Sequence, residues 1–371
     1  MSAPRSPAPP TTTNTARDAG LAYPWPDPPA EGQAISVAEG VLWMRLPLPM
    51  KLDHVNVYAL DDGDSWTLID TGFASRRTKA IWQTLLDGPL AGKPVRRVLV
   101  THHHPDHVGL AGWFQTDFGA ELLTTRTAWL FSRMLTLDEQ DSYAPETLLH
   151  YKRAGMRADL YDTRSAERPF NFADIVAPMP LGFTRIQQGD VLRIGGRDWD
   201  VHIGHGHAPE HATLWSRDDA LVIAGDQILP SISPNIGVYA TEPMADPLSD
   251  WIESCTRLSD LARPDHVVLG GHKLPFTGLP WRLRHLIDNH HSALDRLMAH
   301  LHSPHSAGDC FSPLFRRPIG DGEYGLALVE AIAHLNHLYL AGRVTRQVGP
   351  DGVWLFQAAA QDRGDVVPTS G

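Results

Sequence analysis

The sequence predicts an α/β protein, and two observations indicate this class. Short apolar runs that are typical of buried strands alternate with helical segments, and several of these runs end in side chains that can carry chemistry. A strand, a helix and a second strand follow one another over residues 66–107, where the second strand leads directly into "HHHPDH". Reactive side chains at the carboxyl ends of strands are characteristic of α/β proteins.

The composition suits a globular chain with one large and one smaller domain. The chain has 371 residues, of which 42% are hydrophobic. Its longest apolar runs, such as "ALVIAG", are far shorter than the ~20 residues that span a bilayer, so we expect no membrane partner. Residues 1–33 are rich in Pro, Ala and Thr and lack the apolar region of a secretory signal, which predicts a disordered leader. Two cysteines, Cys255 and Cys310, imply no disulfide framework and favour a cytoplasmic location.

The catalytic domain is predicted to span residues 34–282 and to begin with strands. The segment "GVLWMRLPLPMKLDHVNVYAL" alternates apolar and polar residues as strands do, and "TLIDTG" is a buried strand that ends at Asp70 and Gly72. Residues 75–87 follow with helical spacing, and their apolar face consists of Ile81, Leu85 and Leu86. The next strand, "VRRVLV", ends at the histidine cluster.

The rest of the chain contains an insertion and a separate C-terminal unit. Residues 126–186 are predicted to form a mostly helical insertion that serves as a lid, followed by a hairpin around Gly195 and Gly196. Two more buried strands, "ALVIAGD" and "HVVLGGH", each end in a potential ligand. Over residues 283–371 two helices precede a two-stranded wing with its turn at residues 349–352, which predicts a winged-helix-like domain.

The cluster "HHHPDH" has the spacing of a two-metal site. Alternate residues at a strand end point the same way, and the turn that follows brings in two further side chains. One ion would take His102 and His104, and a neighbouring ion would take Asp106 and His107. An aspartate can bridge two ions at the ~3.5–4 Å separation of two-metal sites. Both ions need more ligands, and later strand ends offer three candidates: His207, Asp226 and His272.

These residues resemble the signature of the metallo-β-lactamase superfamily. "DTG" at Asp70, the His-x-His-x-Asp-His pattern and the three later ligands stand in the family's order over roughly residues 38–280. The resemblance implies a four-layered αββα sandwich with its metals at one edge, and the C-terminal unit is similar to the winged-helix appendage of some members. It also implies the ligand sets: His102, His104 and His207 for the first metal, Asp106, His107 and His272 for the second, and Asp226 as the bridge.

The implied activity is that of a dinuclear metal-dependent hydrolase. Two divalent ions can lower the pKa of a bridging water to about neutrality, and the hydroxide that results can attack a carbonyl. Zinc is the expected metal, and iron or manganese also suits His and Asp ligands. Asp106 and Asp226 are the predicted catalytic carboxylates, and Asp70 is expected to orient ligand histidines.

The remaining histidines are assigned by their position. His103 and His205 are not predicted to be ligands, because strand alternation points them away from the metals. His202 and His211 fit hydrogen-bonded packing and support of a ligand equally well. We expect His211 to be the second residue, beside Asp70, that orients the metal ligands.

The predicted substrate is a thioester or an ester. The form "THHHPDHVG" is similar to that of glyoxalase II-like members, and relatives with a winged-helix tail include acyl thioesterases. Within residues 150–168 five basic side chains outnumber three acidic ones, and the insertion is rich in aromatic residues and methionine. Such a lid could hold an apolar acyl chain and an anionic carrier such as coenzyme A, an acyl-carrier protein or glutathione. Ordinary packing of a helical hairpin explains the same composition equally well.

Other activities stay open on the sequence alone. A lactonase or a β-lactam-type amide hydrolase needs only a different pocket over the same metals, and some winged-helix members are RNA nucleases. Charge argues against nucleic acid, because the chain has a net charge of −11 and residues 281–371 carry eight Arg against nine Asp plus Glu. The winged unit is therefore expected to pack against its own chain or to form a homodimer. A binding module with structural metals is disfavoured, since structural zinc sites are usually rich in cysteine.

Overall fold

The structure, a computed structural model, describes residues 20–360. The described chain divides into two compact units. The first unit comprises residues 20–141, 170–234 and 250–287, and the second comprises residues 142–169, 235–249 and 288–360. Over the described range, no helix combines the length and the apolar character needed to cross a bilayer.

A seven-stranded sheet begins the first unit, and its strands lie side by side in chain order. The first four strands are antiparallel, whereas the last four run parallel to one another. Helices α1 to α4 connect or follow the parallel strands. The strands are β1 Ile35–Ala38, β2 Val41–Pro47, β3 His54–Asp61, β4 Trp66–Ile69, β5 Val95–Leu99, β6 Glu121–Thr124 and β7 Thr184–Arg185, and the helices are α1 Arg76–Asp87, α2 Pro105–Val108, α3 Ala111–Phe118 and α4 Arg126–Leu137.

Helix α1 lies where the sequence predicts a helix over residues 75–87. It begins after Ser75, whose hydroxyl accepts a hydrogen bond from the Thr78 amide at 3.0 Å and so satisfies one free N–H of the first turn. The buried side of α1 places Trp82 edge-to-face against Phe114 of α3, with ring centroids 5.1 Å apart. These rings belong to the apolar core on the helical side of the sheet.

A five-stranded sheet provides the second layer of strands, in the order β12-β11-β10-β9-β8. All its pairings are antiparallel except that of β11 with β12. The part of helix α7 (Pro247–Ser259) in this unit buries Trp251, Cys255 and Leu258, and the Arg257 guanidinium donates to the Ile203 carbonyl of β9. The strands are β8 Val191–Ile194, β9 Arg197–Gly204, β10 His211–Ser216, β11 Leu221–Gly225 and β12 Val267–Gly270.

The two sheets pack face to face around a shared apolar core. Trp43 of β2 and Trp199 of β9 both lie in this core and are fully buried. The neighbour of Trp43, Met44, lies in the other core, between sheet and helices, because successive strand residues point to opposite faces. The order helices, sheet, sheet, helix agrees with the predicted four-layered sandwich.

The chain before β1 is better ordered than the sequence predicts. Ala22 pairs with Thr277 through two backbone hydrogen bonds of 3.3 and 2.9 Å, and Leu21 is buried. A Cβ atom on Gly20 would lie 2.6 Å from the Trp281 ring, so the backbone passes close to that side chain. The predicted disordered leader over residues 1–33 is therefore corrected for residues 20–33. Residues 1–19 lie outside the described residues.

The second unit combines helices with one hairpin. Over its C-terminal part, two long helices precede the hairpin in the predicted order, while a winged-helix architecture stays a prediction. Arg346 ties the hairpin to α10, because its guanidinium lies 4.5 Å from the Tyr339 ring centroid and 4.4 Å from that of Trp354. The elements are α5 Pro145–Arg153, α6 Ala158–Ala166, α8 Leu279–His300 from residue 288 onward, α9 Phe311–Phe315, α10 Asp321–Leu340, β13 Val344–Val348 and β14 Trp354–Ala358.

The predicted insertion over residues 126–186 is divided between the units. Helix α4 belongs to the first unit, whereas α5 and α6 belong to the second. Within the second unit the Gly308 amide donates to the Ala154 carbonyl at 3.1 Å, and the Arg157 guanidinium pairs with Asp321 at 2.7 Å. The single lid is therefore corrected: residues 126–141 and 170–186 belong to the first unit and residues 142–169 to the second, because α5 and α6 find their hydrogen-bond partners far along the chain.

Two buried histidines of the second unit predict a pH dependence of stability. Nδ1 of His290 lies 3.1 Å from Nε2 of His334, and burial lowers the pKa of these side chains to about 3 and about 4. The unfolded chain takes up these protons near pH 6.5, so stability falls as the pH drops from about 6.5 towards 4. In denaturant unfolding we expect the wild type to lose up to about 1.4 kcal/mol more per pH unit than His290→Gln over this window. Equal slopes would contradict this expectation.

Candidate metal centre

Strand β5 brings the histidine cluster to one edge of the seven-stranded sheet. The strand ends at Leu99, and Pro105 begins α2 at the first helical position, where its missing N–H costs no hydrogen bond. This turn brings His107 beside His102, with ring centroids 4.1 Å apart, and both rings are fully buried. Nε2 of His102 also lies 3.0 Å from Nδ1 of His104. Three imidazoles of a six-residue stretch therefore converge.

Three later loops bring the other predicted ligands to the same place. His207 follows β9, Asp226 follows β11 and His272 follows β12. Together with the histidine cluster they form three groups in which the candidate ligand atoms lie within 4.8 Å of one another. All seven predicted ligand residues meet there. The groups are His102, His104 and His207; Asp106, His107 and His272; and His102, His107 and Asp226.

The Asp226 carboxylate lies between the first two groups. Its Oδ2 is 3.1 Å from Nε2 of His272, 3.5 Å from that of His107 and 3.6 Å from that of His207. Oδ2 of Asp106 lies 3.4 Å from Nε2 of His272 and 3.7 Å from that of His107. A carboxylate with one oxygen near ligands of both groups has the position that a bridging ligand requires.

Hydrogen bonds fix which nitrogen of each imidazole faces the cluster. Oδ2 of Asp70 accepts from Nδ1 of His107 at 2.7 Å and from the Thr101 hydroxyl at 2.8 Å. Because that hydroxyl donates to Asp70, its oxygen accepts from Nδ1 of His102 at 3.0 Å. Nδ1 of His272 donates to a backbone carbonyl at 2.7 Å. Nε2 of His107 and Nε2 of His272 therefore face the Asp106 and Asp226 carboxylates, whereas Nε2 of His102 faces Nδ1 of His104.

Burial and neighbouring charges set the ionisation of the cluster. Burial, and next the His107 ring, hold the pKa of His102 well below its usual value. Burial opposes ionisation of Asp226, but the His272 and His107 rings outweigh it and hold the pKa of this carboxyl well below its usual range. Burial also lowers the pKa of His272, yet Asp226 and Asp106 raise it to about 10. The centre therefore combines ionised carboxylates, a neutral His102 ring and a His272 ring whose proton a bound cation would displace. Carboxylates and imidazoles are donors that suit divalent cations.

Buried atoms of the cluster lack hydrogen bonds that a cation would replace. Within residues 20–360, neither Nε2 of His107 nor Oδ1 of Asp226 has a hydrogen-bond partner, although both are buried. Such atoms are costly unless something satisfies them. The backbone also approaches closely: a Cβ atom on Gly271 would lie 2.2 Å from Oδ1 of Asp226 and 2.7 Å from the His107 ring. The residues present therefore fit a bound metal.

Comparison with known proteins agrees with this geometry. The sequence profile of the Metallo-beta-lactamase superfamily matches residues 50–281, and a profile described as "Metallo-beta-lactamase-like, C-terminal domain" matches residues 294–359. The chain belongs to the metallo-β-lactamase superfamily. The expected fold is thereby confirmed, and the protein is a metallo-hydrolase of this superfamily.

Relatives of this superfamily match most of the chain. A "Probable metallo-hydrolase YqjP" of Bacillus subtilis (strain 168) is 26% identical over 313 residues, which cover 83% of this chain and 94% of that protein. A crystal structure of a beta-lactamase domain protein from Burkholderia ambifaria is 36% identical, covers 91% of this chain and 97% of its own, and has a TM-score of 0.82. The metallo-beta-lactamase family protein TTHA1429 from Thermus thermophilus is 26% identical, with coverages of 87% and 100% and a TM-score of 0.73.

His211 contacts two of the candidate ligands of this metallo-β-lactamase fold. Its Nε2 accepts from the Asp226 amide at 3.0 Å, and its ring stacks on that of His102 with centroids 4.5 Å apart. Gly225, which precedes Asp226, has φ +48°, and a Cβ atom there would lie 2.5 Å from the His211 ring. His211 therefore has the geometry of an orienting residue. His202, on β9, instead lies 3.3 Å from the Gln188 amide, outside the three groups.

His103 and His205, which strand alternation predicts not to be ligands, lie outside the three groups. The His103 ring is buried and faces aromatic residues of the insertion, with centroids 5.1 Å from Phe131 and 6.5 Å from Phe172. His205 is exposed, and its Nδ1 accepts from the Glu210 amide at 3.3 Å. Neither residue belongs to a candidate metal group.

Gly271 is expected to be required for tight metal binding, although no sequence motif marks it as a site residue. Gly271→Ala would place a methyl group too close to Asp226 and His107. The loop or these side chains must then shift to relieve the steric clash. We expect metal affinity to fall about 10–100-fold, as when a metal-supporting contact is lost. The matched control is Gly270→Ala, whose Cβ would meet no atom closer than 3.3 Å. Metal content after gel filtration measures the effect, and equal content in the two variants would refute it.

Proposed function

We propose that this protein is a dinuclear metal-dependent hydrolase that cleaves thioesters or esters. The observation that carries the proposal is the overlap of the candidate groups, because the third group draws a residue from each of the other two and adds Asp226. In this proposal His102, His104 and His207 hold one ion, and Asp106, His107 and His272 hold the other. Asp226 lies between them. Zinc suits these nitrogen and oxygen ligands, and iron or manganese would also fit.

Two ions bound there would activate water and polarise the carbonyl group that is attacked. The residues of the chain provide the fixed framework for this chemistry. Asp70 holds the N–H of His107 directly and that of His102 through Thr101, so a single carboxylate orients one ligand in each group. Asp226 stays ionised and supplies negative charge at the centre. Chemistry therefore requires little rearrangement of the protein.

An apolar surface of the first unit supports an acyl substrate. Phe131 of α4 packs on His103, whose ring centroid lies 4.7 Å from that of the candidate ligand His104. On the same helix Leu130, Met134 and Leu137 are 51%, 47% and 69% exposed. These three positions are spaced four and three residues apart, so they share one helix face. An apolar face on the helix that packs beside the histidine cluster suits an apolar acyl group.

The proposed anionic carrier is supported by charge more than by local geometry. Residues 150–168 have a net charge of +2, from five basic and three acidic side chains. Three of the arginines are engaged within the second unit: Arg153 lies over Trp354, Arg164 lies over Tyr151, and Arg157 pairs with acidic residues. These contacts give that segment a packing role. Coenzyme A, an acyl-carrier protein and glutathione are the candidate carriers, and a hydrolysis screen with thioesters distinguishes coenzyme A from glutathione.

The test is a hydrolysis screen of purified protein with known metal content. One plate would hold acyl-CoA thioesters of several chain lengths, lactoylglutathione, a homoserine lactone, nitrocefin and a labelled RNA, each with metal-loaded and chelator-stripped protein. We expect thioester cleavage by protein with about two ions per chain and none after stripping. Cleavage of lactone, nitrocefin or RNA without thioester cleavage would overturn the substrate assignment. Full activity with a single ion would overturn the dinuclear assignment.

A further inference from the structure

The loop that carries His272 is held by neighbouring strands. Residues 270–273, called the GGHK loop here, begin at the last residue of β12. Nδ1 of His272 donates to the His54 carbonyl at 2.7 Å, and the Lys273 amide donates to Nε2 of His54 at 2.9 Å. Lys273 has φ +69°, a conformation that L residues rarely adopt. The surrounding contacts must therefore hold the loop in this shape.

Asn56 of β3 makes most of these contacts with one side chain. It is 1% exposed, and its Oδ1 accepts from the Trp43 indole at 2.9 Å and from Nε of Arg45 at 3.0 Å. Its Nδ2 donates to the carbonyls of Gly270 and Lys273 at 2.9 and 2.8 Å. Indole and guanidinium groups can only donate and carbonyls can only accept, so the amide orientation is unambiguous. Both donors and both lone pairs of Asn56 are used.

Two neighbours of Asn56 reinforce the same loop. The Tyr58 hydroxyl donates to the Gly270 carbonyl at 2.7 Å, and the Arg45 guanidinium donates to the Lys273 carbonyl at 2.7 Å. The backbone N–H of Asn56 donates to the Gly271 carbonyl at 2.6 Å. Gly271 packs closely against Asp226, since a Cβ atom on it would lie 2.2 Å from Oδ1. A shift of this loop would therefore change the position of His272 relative to the carboxylates.

We propose that Asn56 is a positioning residue for His272 and sets the affinity of the Asp106, His107 and His272 group for its ion. The side-chain hydrogen bonds of Asn56 go to Trp43, Arg45, Gly270 and Lys273 and to none of the seven candidate ligands, so it acts through the GGHK loop. The histidines of the other group follow β5 and β9, outside this loop. The effect of Asn56 is therefore selective for one ion. This role depends on the proposed dinuclear function.

The test is a stepwise Zn²⁺ titration of chelator-stripped protein against a chromogenic chelator, with stoichiometry from elemental analysis. Asn56→Asp keeps the shape of the side chain but replaces two N–H donors with an oxygen that faces two carbonyls. We expect the Kd of one ion to rise about 10–100-fold while that of the other changes less than about threefold. The substitution Tyr58→Phe removes one donor to Gly270 and is expected to weaken the same ion severalfold.

The matched control is Asn336→Asp on α10 of the second unit. Asn336 is fully buried, and its Nδ2 donates to the carbonyls of Pro243 and Ala245 at 3.1 and 3.0 Å. This substitution makes the same chemical change at a buried site of the other unit, where the amide holds carbonyls of residues 243 and 245 instead of the GGHK loop. We expect it to lower the melting temperature of metal-free protein and to leave both Zn²⁺ affinities at wild-type values. Equal weakening of both ions by Asn56→Asp would identify a purely structural role and overturn the proposal.

The outcomes separate this proposal from the proposed function. Two ions in the wild type with unchanged affinities in Asn56→Asp would overturn the role of Asn56 and leave the dinuclear function standing. Fewer than two ions in the wild type would overturn the dinuclear function itself. Should Asn56→Asp fail to fold, Tyr58→Phe decides, because it leaves Asn56 in place. Wild-type affinity for both ions in Tyr58→Phe would then overturn the proposal.

Discussion

Asp226→Ala is expected to lower kcat at least ~10³-fold and to reduce the metal content from about two ions to about one. The substitution removes an oxygen that lies within 3.6 Å of Nε2 of His272, His107 and His207. One carboxylate oxygen thus lies near ligands of both proposed ions. The substitution also removes a negative charge that would partly compensate the positive charge of the two cations.

A graded series separates charge from shape at this position. Asp226→Asn keeps the volume and removes the charge, so we expect it to lie between Asp226→Ala and the wild type in metal content. The control is Asp200→Ala, which removes a carboxylate that pairs with Arg217 at 2.7 Å on the exposed part of β9. Both kcat and metal content should stay at wild-type values in this control. Wild-type turnover with unchanged metal content in Asp226→Ala would refute the bridging role.

Asp70→Ala is expected to destabilise the fold and to weaken both ions. Asp70 is 2% exposed, and its carboxylate accepts hydrogen bonds from the Thr101 amide, the Thr101 hydroxyl and Nδ1 of His107. Loss of these acceptors leaves buried donors unsatisfied, at about 1–3 kcal/mol for each. Alanine also tolerates the φ of +62° at this position poorly. We expect a loss of roughly 3 kcal/mol or more in the unfolding free energy of metal-free protein.

Asp70→Asn isolates the orienting effect from the backbone strain. Asparagine adopts positive φ more readily than alanine and keeps one acceptor oxygen. Its single oxygen cannot replace both carboxylate oxygens, so its NH2 group must face either the Thr101 amide or the Thr101 hydroxyl and His107. We expect near-wild-type folding and about 10–100-fold weaker metal binding in both groups, since Thr101 relays the effect to His102. Urea unfolding and Zn²⁺ titration measure the two effects. Selective weakening of a single ion would show that the relay through Thr101 carries no influence.

The candidate metal centre could be predicted because its ligands carry their chemistry in local sequence. "HHHPDH", "GHGH", "AGD" and "GGH" each follow an apolar strand, and parallel or adjacent strands bring their ends to one edge. The residues that support the ligands carry no local sequence motif of this kind. Asn56 meets Gly270 across more than 200 residues of sequence, and only the pairing of the sheets reveals that contact. The one local signal is a polar side chain within the buried strand "HVNVYAL".

Two boundaries could not be predicted for the same reason. Residues 20–33 have the Pro-rich composition of a leader, but Ala22 finds its hydrogen-bond partner at Thr277. Helices α5 and α6 lie inside a segment that sequence order assigns to the catalytic domain, but their contacts, such as that of Arg157 with Asp321, are with the C-terminal helices. Composition and chain order describe local preference, whereas both outcomes depend on partners distant in sequence.

The most direct test of the central claim is metal-specific anomalous diffraction from crystals of Zn²⁺-loaded protein. We expect two anomalous peaks about 3.5–4 Å apart, with the Asp226 carboxylate between them. One peak should lie within bonding distance of His102, His104 and His207, and the other within bonding distance of Asp106, His107 and His272. A single fully occupied peak, or two peaks that do not share Asp226, would show that the protein does not hold a bridged pair of ions.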